Sequence, residues 1–147
     1  MDISAILSEK SVFPCIEAGT KRQFFEQAAK VVATVGELDE SKVFEALWER
    51  ENLGTTGYGE GVAVPHARMG GIDKVVAVFI RLNKAIDYDA HDGKGVDLAA
   101  VLVSPEQSGE DHLRALAAFS AILRNENACK KIRQAKTAHD IYSVLKQ

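Results

Sequence analysis

The chain has 147 residues and a nearly balanced charge, with 18 Lys and Arg against 21 Asp and Glu. Its length allows one domain with a real core, and 46% apolar with 27% charged residues is the composition of an ordinary globular protein rather than a disordered one. The net charge of -3 gives no basic field to hold nucleic acid, and no apolar run reaches the roughly 18 residues of a membrane span, so neither nucleic-acid binding nor membrane insertion is expected.

The first predicted elements are an edge strand and a helix. Residues 12–16 have extended character, but Pro14 lacks an amide hydrogen and restricts such a strand to the edge of a sheet. The segment from Thr20 to Gln23 is a capping box in front of apolar residues at helical spacing. It predicts a helix over residues 21–35, which Gly36 would close.

A second helix is predicted from Asp39, which can serve as its N-cap, to a stop before Gly54. Arg50 would lie near the C-terminal end of this helix. One interpretation of Arg50 is that it only complements the negative end of the helix dipole. A contact with a bound anion is the alternative, and the sequence favours it slightly because no acidic residue stands three or four positions before Arg50.

The middle of the chain contains two continuous apolar runs of strand length, residues 75–80 and 98–103. Runs of this kind, rich in β-branched residues, suit strands that are covered on both faces. Residues 86–95 between them are polar and contain the turn signal Asp92-Gly93. We therefore expect a loop there, with room for a short strand.

The C-terminal part predicts three helices. Ser108 as N-cap and Asp111 at the third helical position would begin the first of them, which brings His112 close to its first turn. Two shorter helices are expected, over about 126–135 and up to residue 145.

These elements predict a single α/β domain over residues 1–147, with a mixed parallel and antiparallel central sheet and helices on both faces. Cys15 and Cys129 are far apart and outside any Cys-x-x-Cys pattern, so both are predicted to be packing residues rather than disulfide partners or metal ligands. The first residues also lack a signal-like segment. A cytoplasmic protein is expected.

Residues 50–68 are the stretch most typical of a chemical site. Four glycines fall within eight residues, and glycine supplies positive φ or close backbone approach where other residues would clash. The loop ends in residues 62–64, a short run with strand character, and in Pro65, which restrains its neighbour to extended geometry. His66 therefore follows directly after a conformationally restrained end of the loop.

A histidine at this position is a candidate nucleophile, because neutral imidazole attacks well near pH 7 and forms covalent intermediates. A phosphoryl group on His66 would meet positive counterparts in the amides of the glycine loop, in Arg50 and at the start of the helix after Ser108. His112 is the natural second imidazole. Its place near a helix N-terminus favours its neutral form.

The order of these motifs resembles the IIA component of the bacterial phosphoenolpyruvate-dependent phosphotransferase system, of the mannitol/fructose class and its nitrogen-regulatory branch. The likeness rests on Arg50-Glu51, on the glycine loop from Gly54 to Gly61 and on Pro65-His66. Ile86-Asp87-Tyr88-Asp89 and His112-Leu113 follow in the family's order. The likeness extends over the whole domain and is most specific in the residues that end at His66.

The resemblance implies that His66 accepts a phosphoryl group from the phosphohistidine of an HPr-like carrier, which makes the protein a histidine phosphotransferase. His112 would steady the phosphorylated ring, and Arg50 would approach the phosphoryl oxygens. The family uses the Nε2 atom of the acceptor, and neither a metal nor an organic cofactor is implied. Positioning and charge stabilisation suffice for such a transfer. The candidate loop residues around the phosphoryl group are Gly54, Thr55, Thr56, Gly57, Gly59 and Gly61.

The regulatory branch further implies protein targets that respond to the phosphorylation state, such as a potassium transporter or a sensor kinase. The free-standing length favours this branch over a sugar permease subunit. Thr55 stands where the family commonly has Ser, and Tyr58 stands where an aliphatic residue is common. Neither departure removes a charged participant, but Tyr58 alters the surface that a partner would meet.

Three other hypotheses stay open. A sugar-specific IIA subunit would pass phosphate to the IIB domain of a fructose or mannitol permease. A metal-dependent hydrolase would use His66, His112 and an acid such as Asp111, although no tight His-x-x-x-His pattern is present. A binding module that no longer reacts would recognise partners through the same face. His91 and His139 are expected to be solvated surface groups. Arg68 could touch a phosphate or a partner, but a surface charge is the default expectation.

Overall fold

The computed structural model describes residues 2–147, which fold around one mixed sheet of six strands. The strands are β1 (Val12–Ile16), β2 (Gly57–Gly59), β3 (Val62–Ala63), β4 (His66–Met69), β5 (Val76–Ile86) and β6 (Val96–Pro105). The helices are α1 (Lys21–Gly36), α2 (Glu40–Leu53), α3 (Glu110–Leu123), α4 (Glu126–Gln134) and α5 (Ala138–Leu145). Two short 3-10 turns, Ile3–Ala5 and Glu9–Ser11, precede β1.

Strand β6 is the centre of the sheet. It runs antiparallel to β5 and parallel to both β3 and β4, while β1 pairs with β5 at one edge and β2 with β3 at the other. The predicted mixed sheet is therefore confirmed, and β1 has the predicted edge position. The register of β4 sets His66 opposite Leu102 and Arg68 opposite Ser104.

The helices cover both faces of the sheet, as predicted. Side chains alternate along β5, so Val78 and Ile80 point towards α1 and α2, whereas Ala77 and Phe79 point towards α3, α4 and α5. Each face has its own apolar cluster, and full burial of one large apolar side chain contributes about 1.5–3 kcal/mol. The largest fully buried side chains include Phe24, Phe25, Leu47 and Tyr88 on the first face, and Phe79, Phe119, Ile132 and Ile141 on the second.

The end of α1 differs from the prediction that Gly36 closes it. Gly36 is the last helical residue, and Glu37 takes the left-handed cap conformation at φ 55°. A Cβ atom on Gly36 would lie 3.0 Å from a Val76 methyl group and 3.1 Å from one of Leu38. The glycine at this position therefore permits close packing of α1 against β5 rather than a positive φ.

Strand β5 is longer than its apolar run, because it continues to Ile86 through residues that the sequence pattern assigned to no strand. Its last part is exposed over three consecutive residues, 83–85, before the buried Ile86, so only the first part is continuously apolar. Cys129 is buried, as predicted, but the prediction for Cys15 is wrong. Cys15 lies on the edge strand β1, and its side chain is exposed.

Within residues 2–147, none of the helices has both the length and the apolar content needed to cross a membrane.

Candidate functional site

His66 is the first residue of β4, and the backbone before it is tightly held. Val64 is fully buried, and the carbonyl of Pro65 accepts a hydrogen bond from the Leu102 amide at 3.0 Å. The Nδ1 atom of His66 lies 2.8 Å from the Val64 carbonyl oxygen. Since a carbonyl only accepts, Nδ1 carries the proton and donates, which leaves the lone pair on Nε2.

The surroundings of His66 favour its neutral form. Burial has the largest effect and lowers the pKa of His66 below its ordinary value, and the hydrogen bond to the Val64 carbonyl partly opposes this. The positive charges of Arg50 and Arg68 lower the pKa further, whereas the negative charge of Glu51 raises it. Neutral imidazole is the nucleophilic form of histidine, so the ring is ready to react near pH 7.

His112 lies in the first turn of α3 and is 5% exposed. Its ring centroid is 5.7 Å from that of His66, with 52° between the ring planes. Its Nδ1 atom lies 2.7 Å from the hydroxyl oxygen of Ser104, which is fully buried on β6. Burial, and then the charges of Arg68 and His66, lower the pKa of His112 to about 4. The structure thus brings the two histidines together, with His112 neutral.

The start of α3 differs from the prediction that Ser108 is its N-cap. Gly109 takes the cap position at φ 53° and ψ −117°, a conformation that favours glycine, and no side chain caps the helix. Ser108 contributes its backbone instead, because its carbonyl accepts a hydrogen bond from the Asp111 amide at 3.1 Å. The Ser108 hydroxyl is buried and has no hydrogen-bond partner among residues 2–147.

Arg50 lies in the last turn of α2, where the sequence places it. Its Nη1 atom donates to the Gly54 carbonyl at 3.0 Å, so the side chain does cap the end of its own helix. Its charge also reaches His66 and lowers the pKa of that residue. Both interpretations of Arg50 are therefore compatible with its position. A shallow surface depression contains Arg50 together with Leu53 and Arg68.

Arg68 lies near the two histidines, although a surface charge is the default expectation from the sequence. Its side chain is exposed, and its Nη2 atom donates to the Gly109 carbonyl at 3.4 Å. Its charge acts on both His66 and His112. The sequence signal that would have identified Arg68 is strand alternation, because residues two apart on β4 share a face.

A buried polar network lies under the glycine loop, and the sequence analysis did not identify it. The carboxylate of Glu51 accepts from the Thr56 amide at 3.2 and 3.0 Å and from the Thr56 hydroxyl, and it pairs with the Lys21 ammonium at 2.8 Å. The Tyr88 hydroxyl lies 2.9 Å from the Thr56 hydroxyl oxygen. Burial and the charge of Glu51 raise the pKa of Tyr88 well above its ordinary value. This network fixes the beginning of the loop to α2 and α1.

The glycine loop forms the small hairpin of β2 and β3. Gly59, Glu60 and Gly61 all have positive φ, at 103°, 57° and 83°. Several loop amides are used inside the protein: that of Gly57 donates to the Thr55 hydroxyl at 3.1 Å, and that of Glu60 donates to the Asp92 carboxylate at 2.8 Å. The Gly54 amide donates to the Glu51 carbonyl at 3.1 Å. These amides, with that of Thr56, are not free to bind an anion. The remaining candidate amides of the loop stay predictions.

The remaining residues that the sequence singles out are surface groups, and the hydrogen bonds of two of them go to residues other than His66 and His112. His91 is exposed, and His139 lies 3.0 Å from an exposed Glu9 carboxylate oxygen. Tyr58 is partly exposed, and its hydroxyl lies 3.0 Å from that of Ser120 on α3. Within residues 2–147, no group of three or more His, Cys, Asp or Glu side chains is arranged to hold a metal ion.

A family model with the description "Phosphoenolpyruvate-dependent sugar phosphotransferase system, EIIA 2" matches residues 5–147. The chain belongs to this family. Membership of the EIIA 2 family implies phosphotransfer as the general activity, in which IIA proteins take phosphate from HPr-type carriers and pass it on. The resemblance that the motifs predicted is therefore confirmed.

Similar EIIA 2 proteins bear nitrogen-regulatory names. The nitrogen regulatory protein of Bradyrhizobium diazoefficiens is 39% identical over 145 residues, which cover 99% of this chain and 95% of that protein. The nitrogen regulatory protein homolog of Haemophilus influenzae is 38% identical over 149 residues, which cover 99% and 91%. The crystal structure of nitrogen regulatory protein IIA-Ntr from Neisseria meningitidis matches with a TM-score of 0.91 and 32% identity, covering 97% of this chain and 98% of that one. These matches confirm the α/β fold and support the phosphocarrier and regulatory class over the sugar-specific alternative.

Proposed function

We propose that His66 accepts a phosphoryl group on Nε2 from the phosphohistidine of an HPr-like carrier, and that the phosphorylation state of His66 regulates protein partners. The hydrogen bond from Nδ1 to the Val64 carbonyl carries this proposal. It fixes the tautomer whose Nε2 has a free lone pair, on a ring that its surroundings keep neutral. Exchange with such a carrier would take place in the cytoplasm.

The transfer is an in-line displacement at phosphorus. The Nε2 lone pair of His66 forms a bond to phosphorus while the bond from phosphorus to the donor imidazole nitrogen breaks, and its electron pair returns to the donor ring. The Nδ1 proton stays in its hydrogen bond to the Val64 carbonyl, which disperses the positive charge that develops on the His66 ring. No metal or organic cofactor takes part in this proposal.

His112 and Arg50 would stabilise the phosphorylated ring from two different helices, α3 and α2. With the Ser104 hydroxyl donating to Nδ1, a neutral His112 would carry its proton on Nε2 and donate it to a phosphoryl oxygen. A charged His112 would instead repel a charged His66, and its low pKa avoids this. Arg50 would turn from the Gly54 carbonyl to the phosphoryl oxygens, where a guanidinium makes strong charge-assisted hydrogen bonds.

Regulation would follow from the charge that the phosphoryl group adds at an exposed face. Leu53 is 85% exposed and Leu113 is 61% exposed, and they neighbour Arg50 and His112 in the chain. A phosphoryl group near such apolar contacts would favour some partners and repel others. The nitrogen-regulatory names of the relatives support a regulatory target, for example a potassium transporter or a sensor kinase, over the IIB domain of a sugar permease.

Reconstituted phosphotransfer with phosphoenolpyruvate, the upstream enzyme and an HPr-like carrier tests the proposal. The wild-type protein should gain one acid-labile phosphoryl group, His66→Ala should gain none, and His112→Ala should be phosphorylated more slowly. His139→Ala is the matched control, because that histidine is exposed and paired with Glu9. Equal labelling of His66→Ala and the wild type would overturn the assignment.

Nuclear magnetic resonance of the phosphorylated protein separately tests the nitrogen. The imidazole signals should show phosphorus bound at Nε2 and a proton retained at Nδ1, and phosphorus at Nδ1 would contradict the tautomer inferred from the Val64 contact. Capture of partners by both phosphorylation states, compared with His66→Ala, then tests the regulatory part. Binding that is the same for all three proteins would support a module that recognises partners without reacting.

A further inference from the structure

Arg68 and His66 project from the same side of one strand. Side chains alternate along β4, so Ala67 and Met69 are buried while His66 and Arg68 point outwards. Residues two apart on a strand are separated by roughly 7 Å along the chain, which a long arginine side chain easily spans. The sheet register also pairs Arg68 with Ser104, the residue that contacts His112. The backbone alone therefore places Arg68 beside both histidines.

The guanidinium of Arg68 has few partners in the protein. Among the residues that the structure describes, its one hydrogen bond is to the Gly109 carbonyl at 3.4 Å, near the outer limit for such a bond. Within residues 2–147, no carboxylate forms an ion pair with it, whereas Arg133 is held by Asp97 at 2.8 Å and Arg114 by Glu110 at 2.9 Å. A guanidinium has five N–H donors, so most of those on Arg68 are available to an anion.

The hydrogen bond to the Gly109 carbonyl keeps the Arg68 side chain near the two histidines. The Gly109 carbonyl belongs to the turn that leads into α3, directly before the turn of helix that carries His112. A long bond to a neutral carbonyl is readily exchanged for bonds to an anion, because both partners are then charged and the guanidinium fork can bind two oxygens at once. The positive field of Arg68 already acts on both imidazoles, since it lowers the pKa of each.

We propose that Arg68 is a second phosphoryl-binding side chain, which leaves the Gly109 carbonyl and binds the oxygens of the phosphoryl group on His66. The inference rests on the proposed function of His66. Arg50 would approach from the end of α2, and Arg68 would approach from β4 and the start of α3. Two guanidinium groups would then compensate the charge of a phosphoryl dianion. This arrangement explains how the site binds the group although several loop amides are already occupied.

A cation that binds the phosphoryl oxygens stabilises the phosphorylated form over the unphosphorylated one. It must therefore change the equilibrium constant of transfer between the donor carrier and this protein. A residue that only helps the two proteins to dock changes the rates in both directions and leaves that equilibrium constant unaltered, because the separated proteins are the same before and after docking. The equilibrium constant thus separates phosphoryl binding from partner binding.

The test measures this constant from the final distribution of phosphoryl groups between purified phosphorylated carrier and the full-length protein. Arg68→Gln should lower it about tenfold, a loss equal to about 1.4 kcal/mol. Arg68→Lys should recover part of it, since an ammonium keeps the charge but not the planar fork. Arg124→Gln is the matched control, because Arg124 follows the opposite end of α3 from His112 and should leave the constant unchanged.

An unchanged equilibrium constant in Arg68→Gln would overturn the inference, even if transfer became slower, because Arg68 would then be a docking residue only. Labelling of His66→Ala would instead overturn the proposed function, so the two failures are distinguishable. A second measurement uses the wild-type protein, so it does not depend on whether Arg68→Gln folds. The guanidinium NMR signals of Arg68 should shift on phosphorylation while those of Arg124 do not, and unshifted Arg68 signals would also overturn the inference.

Discussion

At the scale of single residues, the site depends on keeping two neighbouring imidazoles neutral. Two charged rings with centroids 5.7 Å apart would repel each other, and burial makes that repulsion stronger. Burial lowers the pKa of both rings, and the nearby arginine charges lower it further. The same arginines would stabilise a phosphoryl group, so one set of charges serves both the nucleophile and its product.

Ser104→Ala should weaken both stability and transfer. The substitution removes the 2.7 Å contact with His112 and leaves the Nδ1 atom of that buried ring without its partner, which should cost about 1–2 kcal/mol in the free energy of unfolding. His112 should also lose its fixed orientation, so the rate of phosphotransfer to His66 should fall. Urea denaturation and single-turnover transfer measure the two effects. Ser41→Ala, at an exposed position on α2, is the control, and equal behaviour of the two variants would contradict this account.

Single residues were predictable where the local motif carried the information. The run that ends in Pro65-His66 points to His66 as the proposed acceptor, and a predicted helix start points to His112. Ser104 and Arg68 were not predictable in this way, because their importance depends on strand register. A serine at the end of an apolar run has no distinctive pattern, and alternation points to Arg68 only once residues 66–69 are known to form a strand beside β6.

At the scale of elements, the loop that forms the hairpin of β2 and β3 requires glycine only where neighbouring atoms lie too close for a Cβ atom. A Cβ atom on Gly57 would lie 2.8 Å from that of Ala90 and 3.0 Å from the Tyr88 ring. Gly54 has no such neighbour within 4 Å, and its φ of 163° is extended backbone open to any residue. The two glycines belong to the same loop and differ in the space around them.

Gly57→Ala should therefore destabilise the protein by about 1–3 kcal/mol through overpacking and should slow transfer to His66. Gly54→Ala should change the free energy of unfolding by no more than about 0.5 kcal/mol. Thermal and urea denaturation of both variants measure the difference. If the two substitutions cost the same, close packing against Ala90 and Tyr88 is not what requires glycine at position 57.

The buried carboxylate of Glu51 links three elements, since it binds Lys21 at the start of α1 and Thr56 at the start of the hairpin from its own place on α2. Glu51→Gln should cost about 3 kcal/mol, because an amide places donors against the Thr56 amide and removes the ion pair with Lys21. Glu49→Gln, on the exposed side of α2, should cost less than about 0.5 kcal/mol. Urea denaturation measures both, and similar values for the two variants would show that the network is not a structural anchor.

The sequence predicted which helices and strands exist more reliably than it predicted where they end. The capping boxes and apolar runs locate α1, α2, β5 and β6. Gly36 and Ser108 were assigned to helix ends by residue type, but their roles depend on tertiary contacts. Gly36 makes room for β5, and Gly109 rather than Ser108 turns the chain into α3. Propensity indicates which residues can end a helix, whereas packing decides which one does.

At the scale of the whole molecule, the sheet brings the residues of the candidate site together. His66 comes from β4 and His112 from α3, and the two rings meet because β4 lies beside β6 at the point where the chain leaves for α3. Arg50 comes from α2, and its charge acts on His66. The fold class was predictable from alternating strand and helix patterns. The strand order was not, because two short strands, β3 and β4, both run parallel to β6, and neither has a strong pattern of its own.

Placing two neutral histidines in the fold makes the stability of the whole protein depend on pH. The folded state holds the pKa of His112 at about 4, below its ordinary value of 6.5, so between these two values the unfolded chain binds a proton that the folded chain does not. The contribution of His112 to the free energy of unfolding should therefore be fully present above about pH 6.5 and be lost as the pH drops towards 4, a loss of about 3 kcal/mol. Urea denaturation of the wild type and of His112→Gln across this range isolates that contribution, because other groups titrate alike in both proteins. The difference in unfolding free energy between them should shrink as the pH falls, and a difference that stays constant from pH 7 to 4 would contradict a neutral, buried His112.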